Sequence, residues 1–345
     1  MGLKFKDIVV REEIFIKDLK NKILAVDSMN LLYQFLTTIR GIDGSVLTDK
    51  HGNVTSHLIG LFNRTTSLME QGLKLVFVFD GKAPAIKQKT WEIRKAVKQE
   101  AFLKLKEAEE SDDYAEMKKQ AGRTAVLTKE MVADAKNLLN ALGLPIVQAP
   151  SEGEAQTAYM VKIGKAYGSV SQDYDNLIFG CPTLIRNLSI EGKRRKTGTL
   201  GYVTIKPEVI KLADVLKELN VTQDQLIVLA ILAGTDYNPG GVKGIGPKKG
   251  LKLIKELGED FDAIFEKVEW DQSYPDLPWK EIFETIKDIP VTDTFELEWK
   301  KIDEPALLKL LVEKHDFNED RVRTKLEKLG QENKKLSQKG LSAFF

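Results

Sequence analysis

Four carboxylates crowd one short stretch of this chain. Between Pro145 and Gly180, PIVQAPSEGEAQTAYMVKIGKAYGSVSQDYDNLIFG, Glu152 and Glu154 stand two apart, and Asp173 and Asp175 repeat that spacing further on. Like charges held so close raise one another's pKa unless a cation neutralises them. Carboxylate oxygens are the ligands taken by hard divalent ions, Mg2+ or Mn2+, with water completing the shell. One of the four has a competing structural role: Ser151 and Glu154 have the spacing of a capping box, and acids favour any helix N-terminus. Asp173 and Asp175 gain nothing structural from sharing a side, so the pair carries the metal reading.

The elements that must position these groups follow from periodicity and turn residues. Gly143-Leu144-Pro145 predicts a turn into a short strand at Ile146-Val147, after which Ser151 is expected to cap a helix through Ala155 to Ile163. Both glutamates then lie on its first turn. The chain extends again through Ser169-Val170-Ser171, and in an extended segment Asp173 and Asp175 point one way and Tyr174 the other. Upstream, Lys22 opens a strand, KILAV, that ends on Asp27 and leads into an apolar helix through Tyr33, Phe35, Leu36 and Ile39. A helix from Ser56 to Gln71 precedes a second apolar strand, Leu75 to Phe79, ending on Asp80.

Strands alternating with helices predict an α/β fold, a mainly parallel central sheet flanked by helices, whose ligands bind beyond the carboxyl ends of the strands. Asp27, Asp80, Asp173 and Asp175 all fall at that edge. A single aspartate there is ordinarily a turn former or a cap. Repetition in a ring that would otherwise repel itself favours a metal site with two ions.

Further elements supply charge of the opposite sign. From Lys82 to Lys106 the chain carries eight basic residues against Glu92 and Glu100, and an acidic block from Glu107 to Glu116 follows. Sparse apolar residues there predict helices that project from the body and guide phosphates. Thr128 begins a helix to Leu142, Leu184 to Leu188 reads as a strand, and Gly201 to Ile205 is expected to pair with it around a turn at Glu191 to Arg194. Thr222 opens a helix apolar enough to be buried, which delivers Asp236 at its end. Gly244-Ile245-Gly246-Pro247 then has the spacing of a helix-hairpin-helix element whose backbone N–H groups face a phosphate, with Lys243, Lys248, Lys249, Lys252 and Lys255 around it. Trp270 to Asp293 is expected only to pack, and helices from Glu304 to Leu329 close the globular part.

Composition narrows the setting. Lys and Arg number 52 against 51 Asp and Glu, so any nucleic-acid face must come from how charge is distributed. One cysteine, Cys181, rules out an internal disulfide, and with only three histidines the composition argues against a thiolate or imidazole zinc site. No signal-peptide core is present, Lys6 breaks the myristoylation pattern, and the most apolar run, Leu226 to Ala233, falls far short of a membrane span. The expectation is a soluble intracellular monomer without membrane contact.

The motifs LAVDSMNLLYQFL, FVFDGKAP, APSEGEAQ, VSQDYDNLIFG, GTDYNPGGVKGIGPKKG and QKGLSAFF together resemble the flap endonucleases of the archaeal and eukaryotic type, in the structure-specific 5′ nuclease superfamily, over essentially the whole length. The resemblance implies a PIN-like nuclease domain over 1–330. Within it fall an N-terminal region of about 1–125 with a helical arch at about 82–127, and an internal region of about 128–255 with the DNA-binding hairpin at about 236–256. A tail, 331–345, follows. The resemblance further implies two Mg2+ ions, with Mn2+ a plausible substitute, held by Asp27, Asp80, Glu152, Glu154, Asp173, Asp175 and Asp236, which overrides the capping reading of Glu154. Lys87 and Arg94 would contact the scissile phosphate, Tyr33 would stack on a base, Gly2 would lie near the metals, and Arg40 would join the DNA face. Lys243, Gly244, Gly246, Lys248 and Lys249 would grip duplex backbone with the help of K+.

Gln338, Leu341, Phe344 and Phe345 match a box that binds a sliding clamp of the PCNA type. The implied activity is 5′ flap endonuclease with 5′-3′ exonuclease, in Okazaki fragment maturation and repair. The stop right after Phe345 favours an archaeal source, with nuclear placement if eukaryotic. Two alternatives remain at this stage, a gap- or bubble-specific nuclease of the same superfamily and a non-catalytic DNA-binding partner of the clamp.

Overall fold

The computed structural model describes residues 3, 5–41, 45–87, 99–100, 102–104, 107, 111, 124–195 and 202–341, leaving aside the side chains of 193–195, 202–203 and 332–341. The frame is set by alternation in two strands. Leu24 and Val26 of β2 (Ile23–Asp27) and Leu75, Phe77 and Phe79 of β3 (Lys74–Phe79) point into one core, while Ala25, Val76 and Val78 between them point into another. Strands buried on both faces must lie inside a layered α/β structure.

These two strands centre a seven-stranded sheet. Its other members are β1 (Glu12–Glu13), β4 (Ile146–Gln148), β5 (Gly168–Val170), β6 (Thr183–Arg186) and β9 (Glu208–Lys211), in the order β1-β9-β6-β5-β2-β3-β4. Neighbours from β6 to β4 are parallel, and β9 is antiparallel to both β6 and β1. The partner of β6 is therefore β9, not the segment Gly201–Ile205 expected from the turn signal. That segment forms β8 (Tyr202–Ile205), which pairs with β7 (Gly192–Arg195) in a separate ribbon. A turn signal fixes which strands are consecutive; the buried Val209 and Ile210 determine which one enters the sheet.

Helices cover both faces. α1 (Ser28–Thr38), α2 (Ser56–Glu70) and α3 (Lys129–Ala141) share one core with β2 and β3, and α4 (Gly153–Lys162) packs on the other. A third core gathers around α7 (Gln223–Ala233), which follows α5 (Asp175–Ile178) and α6 (Leu212–Leu219). Leu226 to Ala233 are all buried, as the apolar run required. α8 (Pro247–Leu257) packs antiparallel-hairpin fashion beside α7, with Pro at its first turn.

Trp270 to Ile286 close this third core, and Thr292 and Asp293 bond to Gln156 and Tyr159 of α4. Phe265 stacks on Trp279 at 4.4 Å between centroids, Trp270 on Tyr274 at 4.4 Å, and the Trp270 indole donates to the carbonyl of Leu277 at 2.8 Å. The last described element is a helix, Glu319–Leu341, that runs past the expected tail boundary at 331. Among the described residues no helix is long and apolar enough to cross a membrane.

Candidate metal centre and nucleic-acid face

β2, β3 and β5 run parallel, so their carboxyl ends open at one edge, and each ends near an acid. Asp27 closes β2 and caps α1, accepting from the backbone N–H of Asn30 at 3.1 Å. Asp80 follows β3 and accepts from the N–H of Gly153 at 2.8 Å, which caps α4 from outside its own chain segment. Here the local expectation fails. Glu152, not Ser151, is the residue before the first turn of α4, and no capping box joins Ser151 to Glu154. A Cβ on Gly153 would stand 2.7 Å from the Asp80 Oδ1, so glycine there lets the helix start against the aspartate. With Asp80 serving as the cap, Glu154 is released for the pocket.

Asp173 and Asp175 also arrive by a route other than the one expected. The segment is not extended: Tyr174 has helical backbone angles and Asp175 is the first residue of α5. The two carboxylates still converge, because a tight turn brings them round to Glu154. Oxygens of Glu154, Asp173 and Asp175 lie within 4.8 Å of one another. Tyr174 does face away, buried in the third core, with its hydroxyl held by Arg186 at 2.5 Å. Asp236 follows the C-terminus of α7 on a turn locked by two glycines. Gly234 (φ +103°) and Gly241 (φ +62°) approach so closely that a Cβ on Gly241 would meet the backbone of Ala233 at 2.4 Å.

The electrostatics bind these acids into one group. Burial above all, then Asp80, pushes Asp27 up to about 7. Glu154 and Asp175 are held well above the ordinary carboxylate range by burial, Glu154 next by Asp175 and Asp175 next by Asp173. Burial likewise raises Asp80, Glu152 and Asp173, and the charge of Asp236 adds to the shift at Asp80 and Asp173. All seven expected carboxylates thus meet in a single field. Lys87, at the end of a single 3-10 turn (Ala85–Lys87), enters the same ring. Its ammonium lies 2.7 Å from Glu152 and 3.6 Å from Asp236, above the Tyr237 ring at 5.4 Å. Burial alone would lower Lys87, but Glu152 and Asp236 overrule it and hold the lysine charged.

Asp173 and Asp175 each commit one oxygen to a neutral donor. Asp175 Oδ1 accepts from the N–H of Leu3 at 3.1 Å, and Asp173 Oδ2 from the amide of Asn30 at 2.7 Å. Asn30 and the fully buried Asn176 were not singled out by sequence. Asn176 donates to the carbonyl of Glu154 at 3.0 Å and to Thr157 and Ser169, tying α4, β5 and α5 together behind the acids. The readable signal for Asn30 was its place three residues after a strand-ending aspartate, where a side chain returns towards the strand ends. Negative, offering carboxylate oxygens as its ligands and with Asp27, Glu152 and Asp175 buried, the ring suits hard divalent cations and not soft ones.

The remaining expected residues lie in other elements or outside the described residues. Tyr33, 37% exposed, lies one turn along α1 from Asn30. Arg40 follows α1 in a bridge to Val46. Lys243, Gly244, Gly246, Lys248 and Lys249 are exposed around the hairpin into α8, and Gly244 has a positive φ of 79°. Gly2, Arg94, Phe344, Phe345, most of the arch at 82–127, and the side chains of Gln338 and Leu341 lie outside the described residues.

Family models described as the XPG N-terminal domain and the XPG I-region match residues 4–101 and 143–236. Curated relatives named Flap endonuclease 1 include that of Pyrococcus abyssi, 49% identical over 345 residues, covering 100% of this chain and 98% of the relative. That of Aeropyrum pernix is 46% identical over 335 residues, with 96% and 95% covered. Among solved structures, flap endonuclease-1 from Methanococcus jannaschii matches with a TM-score of 0.73 and 41% identity, covering 96% of this chain and 98% of that one. The catalytic core of Rad2 in complex with DNA substrate, at 23% identity and TM-score 0.69, shares the fold.

Proposed function

Given that the chain belongs to the flap endonuclease family, we propose that the acidic ring is its hydrolytic centre and that it cuts a DNA phosphodiester at the base of a 5′ flap. The observation that carries this reading is the convergence of acids from separate elements, Glu154, Asp173 and Asp175 among them, beside the partly buried, charged Lys87. Asp27, Asp80, Glu152, Glu154, Asp173, Asp175 and Asp236 would hold two divalent cations, Mg2+ with Mn2+ as a substitute. Such ions supply Lewis acidity at a phosphoryl oxygen and a more acidic bound water.

The chain's own residues do the rest. Lys87 presents a cation at the rim of the ring, where the scissile phosphate needs its charge offset, and Arg94 is assigned the same task. Tyr33 offers a ring on which a base can stack, with Gly2 and Arg40 alongside the path of the strand. Lys243, Lys248 and Lys249, with the backbone N–H groups at Gly244 and Gly246, grip duplex phosphates without reading bases, and K+ is proposed to assist on that hairpin. The basic segment 82–127 guides the single strand, which also permits exonuclease action from a 5′ end. Gln338, Leu341, Phe344 and Phe345 are assigned to a PCNA-type sliding clamp, which would raise the local enzyme concentration at replication and repair junctions.

Cleavage of matched flap, gap, bubble and plain single-strand substrates, with Mg2+ and with chelator, tests the reading. The flap is expected to be cut first and only with the cation. Asp175→Ala is expected to abolish cutting while junction binding in gel shift persists; undiminished cleavage by that variant would sink the assignment.

A further inference from the structure

We propose that Asn30 is a positioning residue for the acidic ring, one that sets which oxygen of Asp173 faces the cations and thereby their affinity. The inference deepens the metal-site reading above and rests on it. Asn30 makes three contacts with separate partners. Its backbone N–H donates to Asp27 Oδ1 at 3.1 Å, its side-chain amide nitrogen donates to Asp173 Oδ2 at 2.7 Å, and its Oδ1 accepts from the N–H of Gln172 at 3.2 Å.

The last contact fixes the orientation of the amide. A backbone N–H can only donate, so the Asn30 oxygen must face Gln172 and the nitrogen must face Asp173. One side chain therefore reads one acid's orientation and, through the main chain, another's position. The first turn of α1 thus holds carboxylates that come from β2 and from the turn after β5.

The segment being held needs holding. Gln172 to Tyr174 lies between β5 and α5 in no regular element, so no helix or strand ladder fixes Asp173. A second set of bonds converges on the same place, backed in part by the same helix. Gln34, one turn beyond Asn30, accepts from Ser189, which accepts from the Gln172 side chain, and Arg186 donates to the Gln172 carbonyl at 3.0 Å. Gln172 is thus held at its N–H, its carbonyl and its side chain, and the residue after it carries the acid. A neutral amide suits this place because it orients a carboxylate without cancelling the charge a cation requires; a lysine would orient and neutralise at once. Partners that orient a ligand in this way change metal affinity by about 10- to 100-fold when removed.

The test follows Mn2+ uptake by the full chain, stripped with chelator, by isothermal titration calorimetry. Asn30→Ala is expected to weaken uptake about ten-fold and to raise the Mn2+ needed for half-maximal flap cleavage in proportion, with the rate at saturating Mn2+ changed by no more than about two-fold. Gln34→Ala, which loosens the support without touching an acid, is expected to shift uptake in the same direction by less. Uptake by Asn30→Ala equal to that of the unaltered chain overturns the inference and leaves the metal reading standing. So does a lower melting temperature in chelator with unchanged uptake, the mark of a structural role alone; should Asn30→Ala fail to fold, Gln34→Ala decides by the same readout. Equal uptake by Asp175→Ala and the unaltered chain would instead remove the metal reading itself.

Discussion

Asp27 holds two offices, cap of α1 and member of the acidic ring, and its proton reports on both. Burial first, and Asp80 second, push it up to about 7. Between roughly pH 4 and 7 the folded chain therefore keeps a proton that the unfolded chain has released. The stability this contributes is whole below the unfolded value and gone once pH rises past the folded one. Chelator-treated protein is expected to melt at a lower temperature at about pH 8 than at about pH 5.5, and Mg2+ is expected to restore the loss at the higher pH. Melting curves followed by circular dichroism check this; a transition that climbs between those two pH values without metal would refute it. Residue types were legible in sequence here, since acids at strand ends announced the ring. What stood hidden was who caps whom. The capping box read from Ser151 and Glu154 is replaced by a long-range bond from Gly153 to Asp80, and pattern along the chain carries no trace of a partner 73 residues away.

At the scale of elements, the parallel strands and the buried α7 were legible because both are continuous apolar runs with one possible environment. The partner of β6 was not. Adjacent strands in sequence pair most often, and the choice of β9 over β8 depends on which of them has apolar residues to bury, Val209 in the first core and Ile210 in the third. The turn that carries Asp236 shows how tightly an element can be specified by absence of a side chain. Gly241→Ala would place a methyl group into the backbone of Ala233 at a positive φ, at a cost above about 1 kcal/mol. Urea unfolding is expected to show that loss, and flap cleavage to fall further than stability alone explains, because Asp236 must move with the turn. A variant as stable and active as its parent would mean that the close approach is not maintained in solution.

For the whole molecule, a net charge of +1 conceals strong segregation. Acids occupy the carboxyl edge of the sheet, and the lysines of the hairpin into α8 stand apart, exposed and with no acid in sequence from Val242 to Lys255. Affinity for duplex is then expected to come from these few groups. Replacing both Lys248 and Lys249 by Ala should weaken binding to flap substrates of unrelated sequence alike and reduce the slope of log K against log salt by about two. Fluorescence anisotropy across a salt series measures it; an unaltered slope would move the duplex grip elsewhere. Composition gives no warning of this exposed basic hairpin, since totals erase position.

The sheet also finishes narrowly on both sides. Its outermost strands, β1 and β4, contain two and three residues, while the long strands lie between neighbours. A second copy of the chain meeting either rim finds too few free amide and carbonyl groups to continue the ladder. The layout that gathers acids at the end of the long inner strands thereby also keeps crowded copies from extending one another's sheets.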